Sequence, residues 1–458
     1  MSSKNFLTAA ITVILLALCL MKINSSGTTA ATLHATPIID NNHHPSFKLS
    51  ATLQLRIRVY YKNSNLNTNP MFLRGNIPPL SWSSGIPLQI VGSNNNGIFE
   101  TLLNISQSDL KSNGYLLQMK SLVNDRDWQL GPNSMFDLKH LAQNNGIQPK
   151  HDDMPSSSRM TRGEDSMISL DLYPWFYTTE GSILVLPNPI YSPQLKNYRN
   201  ITLYLPPSYF ENSWKRYDNL LIMHDGQNLF DPSTAFMNQA WMIQNTLNPL
   251  MLNSNANYAM EEVVVIGVYN TADRMNEYTY SRDASVGAGG KGDLYLDFLE
   301  QTLMPTLMET FKRRWILDHS KLGILGSSLG GLISCYAGWT RPKVYGKVGC
   351  MSSSFWWNNQ DFNNRILNRP NVPQQLVIYL DSGNQGVDND DVVQTQTVRD
   401  HILSFPSFTF GKNLYYYLDN GGQHNEYFWG RRFWSPCLSL WKPVPQLVGG
   451  SSVQYKRN

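Results

Sequence analysis

Ser328 stands in Gly326-Ser327-Ser328-Leu329-Gly330-Gly331, directly after the apolar stretch Leu322-Gly323-Ile324-Leu325 and directly before Leu332-Ile333-Ser334-Cys335-Tyr336-Ala337. Strand, tight turn and helix in that order form the context in which Gly-x-Ser-x-Gly presents a serine as a nucleophile. The glycines have a mechanical reason: without a Cβ at Gly326 or Gly330, strand and helix backbones can pass close on either side of the serine. So short a motif also arises by chance, and its chemistry depends on partners. A serine hydroxyl attacks an acyl carbon only when a base takes its proton and a third group orients that base. Two histidines lie downstream, His401 and His424. His401, in Val398-Arg399-Asp400-His401-Ile402-Leu403, reads as a surface residue on an exposed helical turn. His424 lies in the polar loop Gly421-Gly422-Gln423-His424-Asn425-Glu426, after the strand-like Leu414-Tyr415-Tyr416-Tyr417-Leu418, and is the expected base.

The orienting acid is expected after the buried-strand pattern Leu376-Val377-Ile378-Tyr379-Leu380. The next eleven residues, Asp381 to Asp391, hold four aspartates. Asp381 is still on the strand end and reads as structural, while Asp390 and Asp391 precede the helical run Val392 to Leu403 and suit its N-terminus. Asp388 is the expected acid. A tetrahedral intermediate also needs an oxyanion hole. Leu329 offers the backbone N–H after the serine. The second N–H is expected from Gln227, because the apolar strand Asn219 to Met223 runs into His224-Asp225-Gly226-Gln227-Asn228-Leu229-Phe230 and Gly226 lets that loop fold inward.

Together these residues resemble the enterobactin- and feruloyl-esterase-like family of α/β-hydrolases. The likeness rests on Tyr204-Leu205-Pro206-Pro207-Ser208-Tyr209, the His224 to Phe230 loop, and Val265 to Thr271 with Arg274, Glu277 and Tyr278. It continues through Gly326 to Gly331, Ser354-Phe355-Trp356-Trp357, and His424-Asn425-Glu426 with Trp429 and Arg431. These pieces span roughly residues 170 to 440 in family order. The resemblance implies an α/β-hydrolase fold with Ser328 as nucleophile, His424 as base and the amides of Gln227 and Leu329 as oxyanion donors. One departure stands out: relatives tend to carry Glu or Asp about three residues after the glycine that follows the strand, and here that place is Gly386. The acid is then displaced, to Asp388, or is weak.

Other pieces read physically. Arg274 and Glu277, three apart, suit a structural ion pair. Phe355, Trp356 and Trp357 are candidates to wall a substrate pocket, although aromatic clusters also serve as core. Asp293 to Arg314 is an amphipathic helix without chemistry. Gly287 to Gly292 lacks the spacing of a phosphate loop and reads as a connector.

A chain of 458 residues suggests two or three folded units. Lys4, the apolar run Phe6 to Met21, and Lys22 suit a signal peptide over residues 1–22, with an uncleaved anchor as the alternative. Sequons at Asn24, Asn104 and Asn200 permit secretion. After the signal, Cys335, Cys350 and Cys437 remain, so one disulfide at most is expected. A net charge of +3 without basic tracts argues against nucleic acid, and no Cys/His cluster has metal-ligand spacing. No metal, no cofactor and, after signal cleavage, no membrane partner is expected.

Residues 23–47 read as a linker. From Leu53 the pattern changes, with Leu53, Leu55, Ile57 and Val59 alternating with Gln54, Arg56 and Arg58 as in a half-buried strand. Short strands between Pro, Gly and Asn turns continue to about residue 140, as in a β-sandwich over 48–140. A linker over 141–165, a hydrolase domain over 166–445 and a tail over 446–458 complete the expected organisation. The sandwich resembles the starch-binding module family in Phe72 to Trp82 and in Trp128-Gln129-Leu130-Gly131-Pro132-Asn133. That resemblance implies sugar stacking on Trp82 and Trp128, with Lys120 and Asn133 as polar partners and an α-glucan as ligand. The alternative is a degenerate module whose tryptophans belong to the core.

The sequence therefore points to a secreted two-domain serine esterase acting on a small-molecule or glycan ester, including acylated carbohydrates. Two alternatives stay open: a siderophore-type esterase or acyltransferase, and a glycan-binding protein with a vestigial hydrolase domain.

Overall fold

Strands whose residues are all buried on both faces form the centre of the larger layer. Leu220–His224 (β3), Val264–Val268 (β4) and Gly323–Ser327 (β5) are buried along their whole length, the pattern of a parallel sheet covered on both sides. The computed structural model describes residues 52–62, 69–92, 97–143 and 168–448. The expected signal segment 1–22 and linker 23–47 lie outside them, as does most of the polar stretch 141–165.

Around that centre, Ser182–Val185 (β1), Ile201–Leu205 (β2), Lys347–Met351 (β6), Val377–Gly383 (β7) and Leu414–Asp419 (β8) complete an eight-stranded sheet of order β1-β2-β4-β3-β5-β6-β7-β8. The β1/β2 and β2/β4 pairs are antiparallel and all others parallel. The order reverses around β3, so the loops after β3 and β5 leave the carboxyl edge side by side, where open α/β sheets build their sites. This is the α/β-hydrolase arrangement. Helix Leu329–Thr340 (α1) follows β5 and is buried on every side up to Trp339. A disulfide joins Cys335 of α1 to Cys350 of β6, and Cys437 is a buried thiol. Helices Val392–Leu403 (α2), Glu426–Arg432 (α3) and Trp434–Leu440 (α4) follow later strands.

The smaller layer is a two-sheet β-sandwich. In Thr52–Tyr60, Leu55, Ile57 and Val59 are fully buried while their neighbours are not, the period of two that one buried face demands. Both ends of the hydrolase contribute to it. Ile168–Leu172 pairs in parallel with Thr52–Tyr60, Gln446–Leu447 pairs in parallel with Ser134–Asp137, and Val448 enters the sandwich core. The strand at 168–172 thus belongs to the sandwich rather than opening the hydrolase, and 446–448 is a sandwich edge rather than a tail. Such edge additions cover backbone groups that would otherwise stay unpaired, and a two-residue strand carries no periodicity that a sequence pattern could report.

Candidate active site

The strand-to-helix turn places Ser328 at φ 59°, ψ −127°, a conformation costly for a residue with a Cβ. Packing on both sides enforces it. A Cβ on Gly326 would lie 2.8 Å from the Gly330 carbonyl carbon and 2.8 Å from His224 Cδ2. The Ser328 amide donates to Met351 O at 3.1 Å, and the Ser328 carbonyl accepts from the Ser354 amide at 3.1 Å. Ser328 Oγ, half-buried, lies 3.3 Å from Ser354 Oγ.

His424 sits in the loop between β8 and α3, with 35% of its side chain exposed and its ring edge-on to Trp429 at 5.0 Å. Its Nδ1 is 2.6 Å from Asp390 Oδ1. The contact expected of Asp388 is therefore made by Asp390. The reason is a tight left-handed turn: Asp388, Asn389, Asp390 and Asp391 all have φ near +50°, which short Asp and Asn side chains tolerate best among non-glycine residues. The turn leaves Asp388 exposed and brings Asp390 inside. Asp390 Oδ2 accepts from Ser352 Oγ at 2.6 Å and from the Gly383 amide, and Arg432 stands 3.4 Å away. Burial pushes the Asp390 carboxyl up, but the hydrogen bonds from His424 and Ser352 outweigh it and hold the group below the usual carboxylate range. Asp391 stands at the start of α2 without a side-chain capping bond. Burial pushes it up to about 6 against the pull of the Trp356 and Phe355 amides.

On the other side of Ser328, the loop after β3 is fixed by Asp225. Its backbone is left-handed at φ 54°, ψ 47°. Its carboxylate takes two bonds of 2.8 Å from Arg274 and one of 2.6 Å from Asn270 Nδ2. Burial raises this carboxyl too, and the Arg274 charge overcomes it and holds it low. Gly226 is obligatory, since a Cβ there would meet the Gly267 carbonyl carbon at 2.5 Å. The side chain and carbonyl of Gln227 are both engaged, the first by the Asn270 amide at 3.2 Å and the second by Thr234 Oγ1 at 2.7 Å. Gln227 follows directly on this tight approach, and Leu329 is the first residue of α1. His224 is buried between loop and elbow, its Nδ1 2.8 Å from Tyr295 OH, and burial drives it down to about 3, so it is neutral. Arg274 and Glu277 do not pair. Arg274 is taken by Asp225, and Glu277 instead meets the buried Arg199 at 2.5 Å.

Of the expected pocket aromatics, Phe355 and Trp357 are core. Phe355 packs on Phe362 at 5.3 Å and Trp357 Nε1 donates to Ser281 O at 2.9 Å. Trp356 alone is open, at 46% exposure. His401, expected at the surface, bonds Asn363 Oδ1 at 2.9 Å through Nδ1. Ser352, Asp225 and Arg432 were not singled out from sequence; a buried ion pair leaves no trace in local periodicity.

On the sandwich, Trp82 and Trp128 are each 39% exposed, with ring centroids 6.3 Å apart and planes 35° apart. Arg74 lies over Trp128 at 5.1 Å and is anchored to Asp125 at 2.8 Å. Lys120 pairs across the strands with Arg74 but offers no free amine. It is buried, its Nζ bonds the Gly131 carbonyl at 2.8 Å, and burial lowers it to about 8. Asn133 Nδ2 is engaged by Gln118 Oε1 at 3.0 Å, and Asn133 lines a cleft of about 710 Å³ between sandwich and hydrolase. That cleft lies along the amino ends of β6 and β7, the edge opposite Ser328. Among the described residues, no three His, Cys, Asp or Glu side chains are grouped to hold a metal ion, and no helix is long and apolar enough to cross a membrane.

Comparison with known proteins gives a match of residues 192–436 to the Esterase family, described as "Putative esterase". The chain is 31% identical over 166 residues to the uncharacterized protein YbbA of Bacillus subtilis, covering 35% of this chain and 59% of that protein. It is 34% identical over 76 residues to the siderophore triacetylfusarinine C esterase of Aspergillus fumigatus, covering 17% of this chain and 25% of that enzyme. In both cases the chain spans less than two thirds of the relative. Among solved structures, the enterobactin esterase FES of Shigella flexneri aligns over 86% of this chain and 95% of its own, at 14% identity and a TM-score of 0.43.

Proposed function

This chain belongs to the Esterase family, and from that premise we propose that it is a serine carboxylic-ester hydrolase with Ser328, His424 and Asp390 as its triad. The observation that carries this reading is the 2.6 Å contact between His424 Nδ1 and buried Asp390. It leaves Nε2 as the free base on the side of the imidazole away from the acid. In the first half-reaction His424 Nε2 takes the Ser328 proton as Oγ adds to the ester carbonyl. The N–H groups of Gln227 and Leu329 receive the oxyanion, and the alcohol leaves with the proton from His424. Water then enters by the same route and adds to the acyl carbon as His424 takes its proton, and the carboxylic acid departs as the C–O bond to Ser328 breaks and His424 returns that proton to Oγ. Asp390 stays ionised throughout and fixes the imidazole tautomer.

The substrate proposed is a small-molecule ester, with acylated carbohydrates and siderophore esters as the classes to assay. An acyltransferase would use the same acyl-enzyme with an alcohol in place of water. An intact His424–Asp390 pair speaks against a vestigial site. Secretion is part of the proposal and is supported by the apolar segment 6–21 and the Cys335–Cys350 disulfide. A second reading concerns the sandwich: the neighbouring exposed indoles of Trp82 and Trp128 form a surface suited to the C–H face of a sugar, an α-glucan by the likeness of their motifs. The deciding experiment is labelling with a fluorophosphonate together with turnover of short p-nitrophenyl esters. Ser328→Ala should lose both, with turnover falling to below about a hundredth, because a missing nucleophile costs orders of magnitude. A folded variant that keeps its activity removes the mechanism.

A further inference from the structure

Three carboxylates converge on one buried guanidinium beneath the histidine loop. Arg432 Nη2 lies 3.0 Å from Asp381 Oδ1 and 3.4 Å from Asp390 Oδ2, and Nη1 lies 3.5 Å from Asp419 Oδ2. Its side chain is 1% exposed, and those of Asp381 and Asp390 are fully buried. Ser352 Oγ ties the group together: it donates to Asp390 Oδ2, accepts from Trp429 Nε1 at 3.0 Å and is bonded by Arg432 Nη2. Asp381 also receives the Ser352 amide at 3.0 Å and the Tyr379 hydroxyl at 3.1 Å. Arg431, the arginine named in the sequence motif, is half exposed, pairs with Asp419 and lies over the Phe428 ring. Trp429 and Arg432 are three residues apart on α3 and so share a face. That helix begins two residues after His424. One short segment therefore carries the histidine, a ring that packs edge-on to it, and the cation behind its acid.

We propose that Arg432 is a positioning residue that acts through Asp390, and that Asp381 competes with Asp390 for its charge. The inference rests on the triad reading above. Without Arg432, the pair Asp381 and Asp390 would place two carboxylates in a dry interior with Ser352 between them, and the acid facing His424 would gain a proton more readily. With Arg432 in place and Asp381 neutral, the full cation would face Asp390. The two changes thus push the same equilibrium in opposite directions. The other charged groups around Asp390 and His424 are Asp391 on the same turn, Glu426 at the start of α3, and Asp419 with its Arg431 partner.

The test is the pH profile of kcat/KM on a p-nitrophenyl ester with the full chain. Arg432→Met is expected to move the acid limb up by about one pH unit and to lower kcat more than about tenfold with KM little changed, while Asp381→Asn moves the limb down by about half a unit. In an Asp390→Asn background, Arg432→Met should change kcat by less than about threefold, because its route of action is already gone. A merely structural arginine gives no such opposed shifts, and limbs that stay in place or move together overturn the proposal, as does full additivity of the double variant. If neither Arg432→Met nor Arg432→Lys folds, Asp381→Asn decides: an unmoved limb overturns it. Asp390→Asn alone separates the two levels. Full turnover in that variant removes the triad reading itself, whereas slow turnover with unmoved limbs removes only the role of Arg432.

Discussion

Two buried aspartates flank Ser328, each met by an arginine, and they are built for different tasks. Asp225 gives both carboxylate oxygens to Arg274 and shares one with Asn270. Asp390 keeps one oxygen for His424 Nδ1 and sends the other to Ser352, with Arg432 at longer range. The carboxylate saturated by its own arginine can only hold a loop in place. The one with a free oxygen toward an imidazole can hold a proton donor in register through a reaction. Both are held below the usual carboxylate range against the pull of burial, so charge state does not separate them. The distribution of partners over the two oxygens does.

The comparison breaks or sharpens in a definite order. Asp390→Asn should lower kcat by about 10³–10⁴ at a nearly unchanged melting temperature, since the wrong imidazole tautomer is favoured while Arg432 keeps Asp381 and Asp419. Asp225→Asn should lower kcat by only about 10² through a misplaced oxyanion loop, yet should cost more stability, about 3 kcal/mol, because Arg274 is left without its counter-ion. Kinetics and thermal unfolding of the two variants side by side check this crossing of ranks, and the same rank in both measurements would break the distinction.

Asp391 sharpens the point, being a third acid on the same turn that pairs with no cation among the described residues. Its folded value near 6 lies above that of an unfolded chain, so its contribution to stability is complete below about pH 4 and is lost as pH rises through about 6. Asp391→Asn should therefore raise unfolding stability by about 1–2 kcal/mol at about pH 8 relative to the parent, and leave it unchanged at about pH 4. Denaturant melts at the two pH values read it directly. A smaller effect is expected remote from Ser328. Trp82→Ala and Trp128→Ala should each weaken α-glucan binding by about 1 kcal/mol in calorimetric titration and leave small-ester turnover intact. The full chain is needed for this, because 168–172 and 446–448 complete the sandwich. Asp388→Asn is the smallest change: exposed and unengaged by His424, it should keep kcat within about twofold.

Much of the molecule follows from local rules. Apolar runs set the β3, β5 and β7 strands, Gly326 and Gly330 mark the elbow at Ser328, and the alternation from Leu53 to Val59 sets one face of the sandwich; each depends on neighbours within a few residues. The choice among Asp381, Asp388, Asp390 and Asp391 does not. It required the left-handed turn at 388–391 and the positions of Ser352, Gly383 and Arg432, all distant in sequence. Lys120 and Trp357 differ from expectation for the same reason. Side-chain type says what a residue could bind, but burial and the partners already present decide what it is free to bind. Arg431 and Arg432 make the limit plain: two identical neighbours, one half in solvent and one buried among three carboxylates, separated only by the turn of a helix against the sheet.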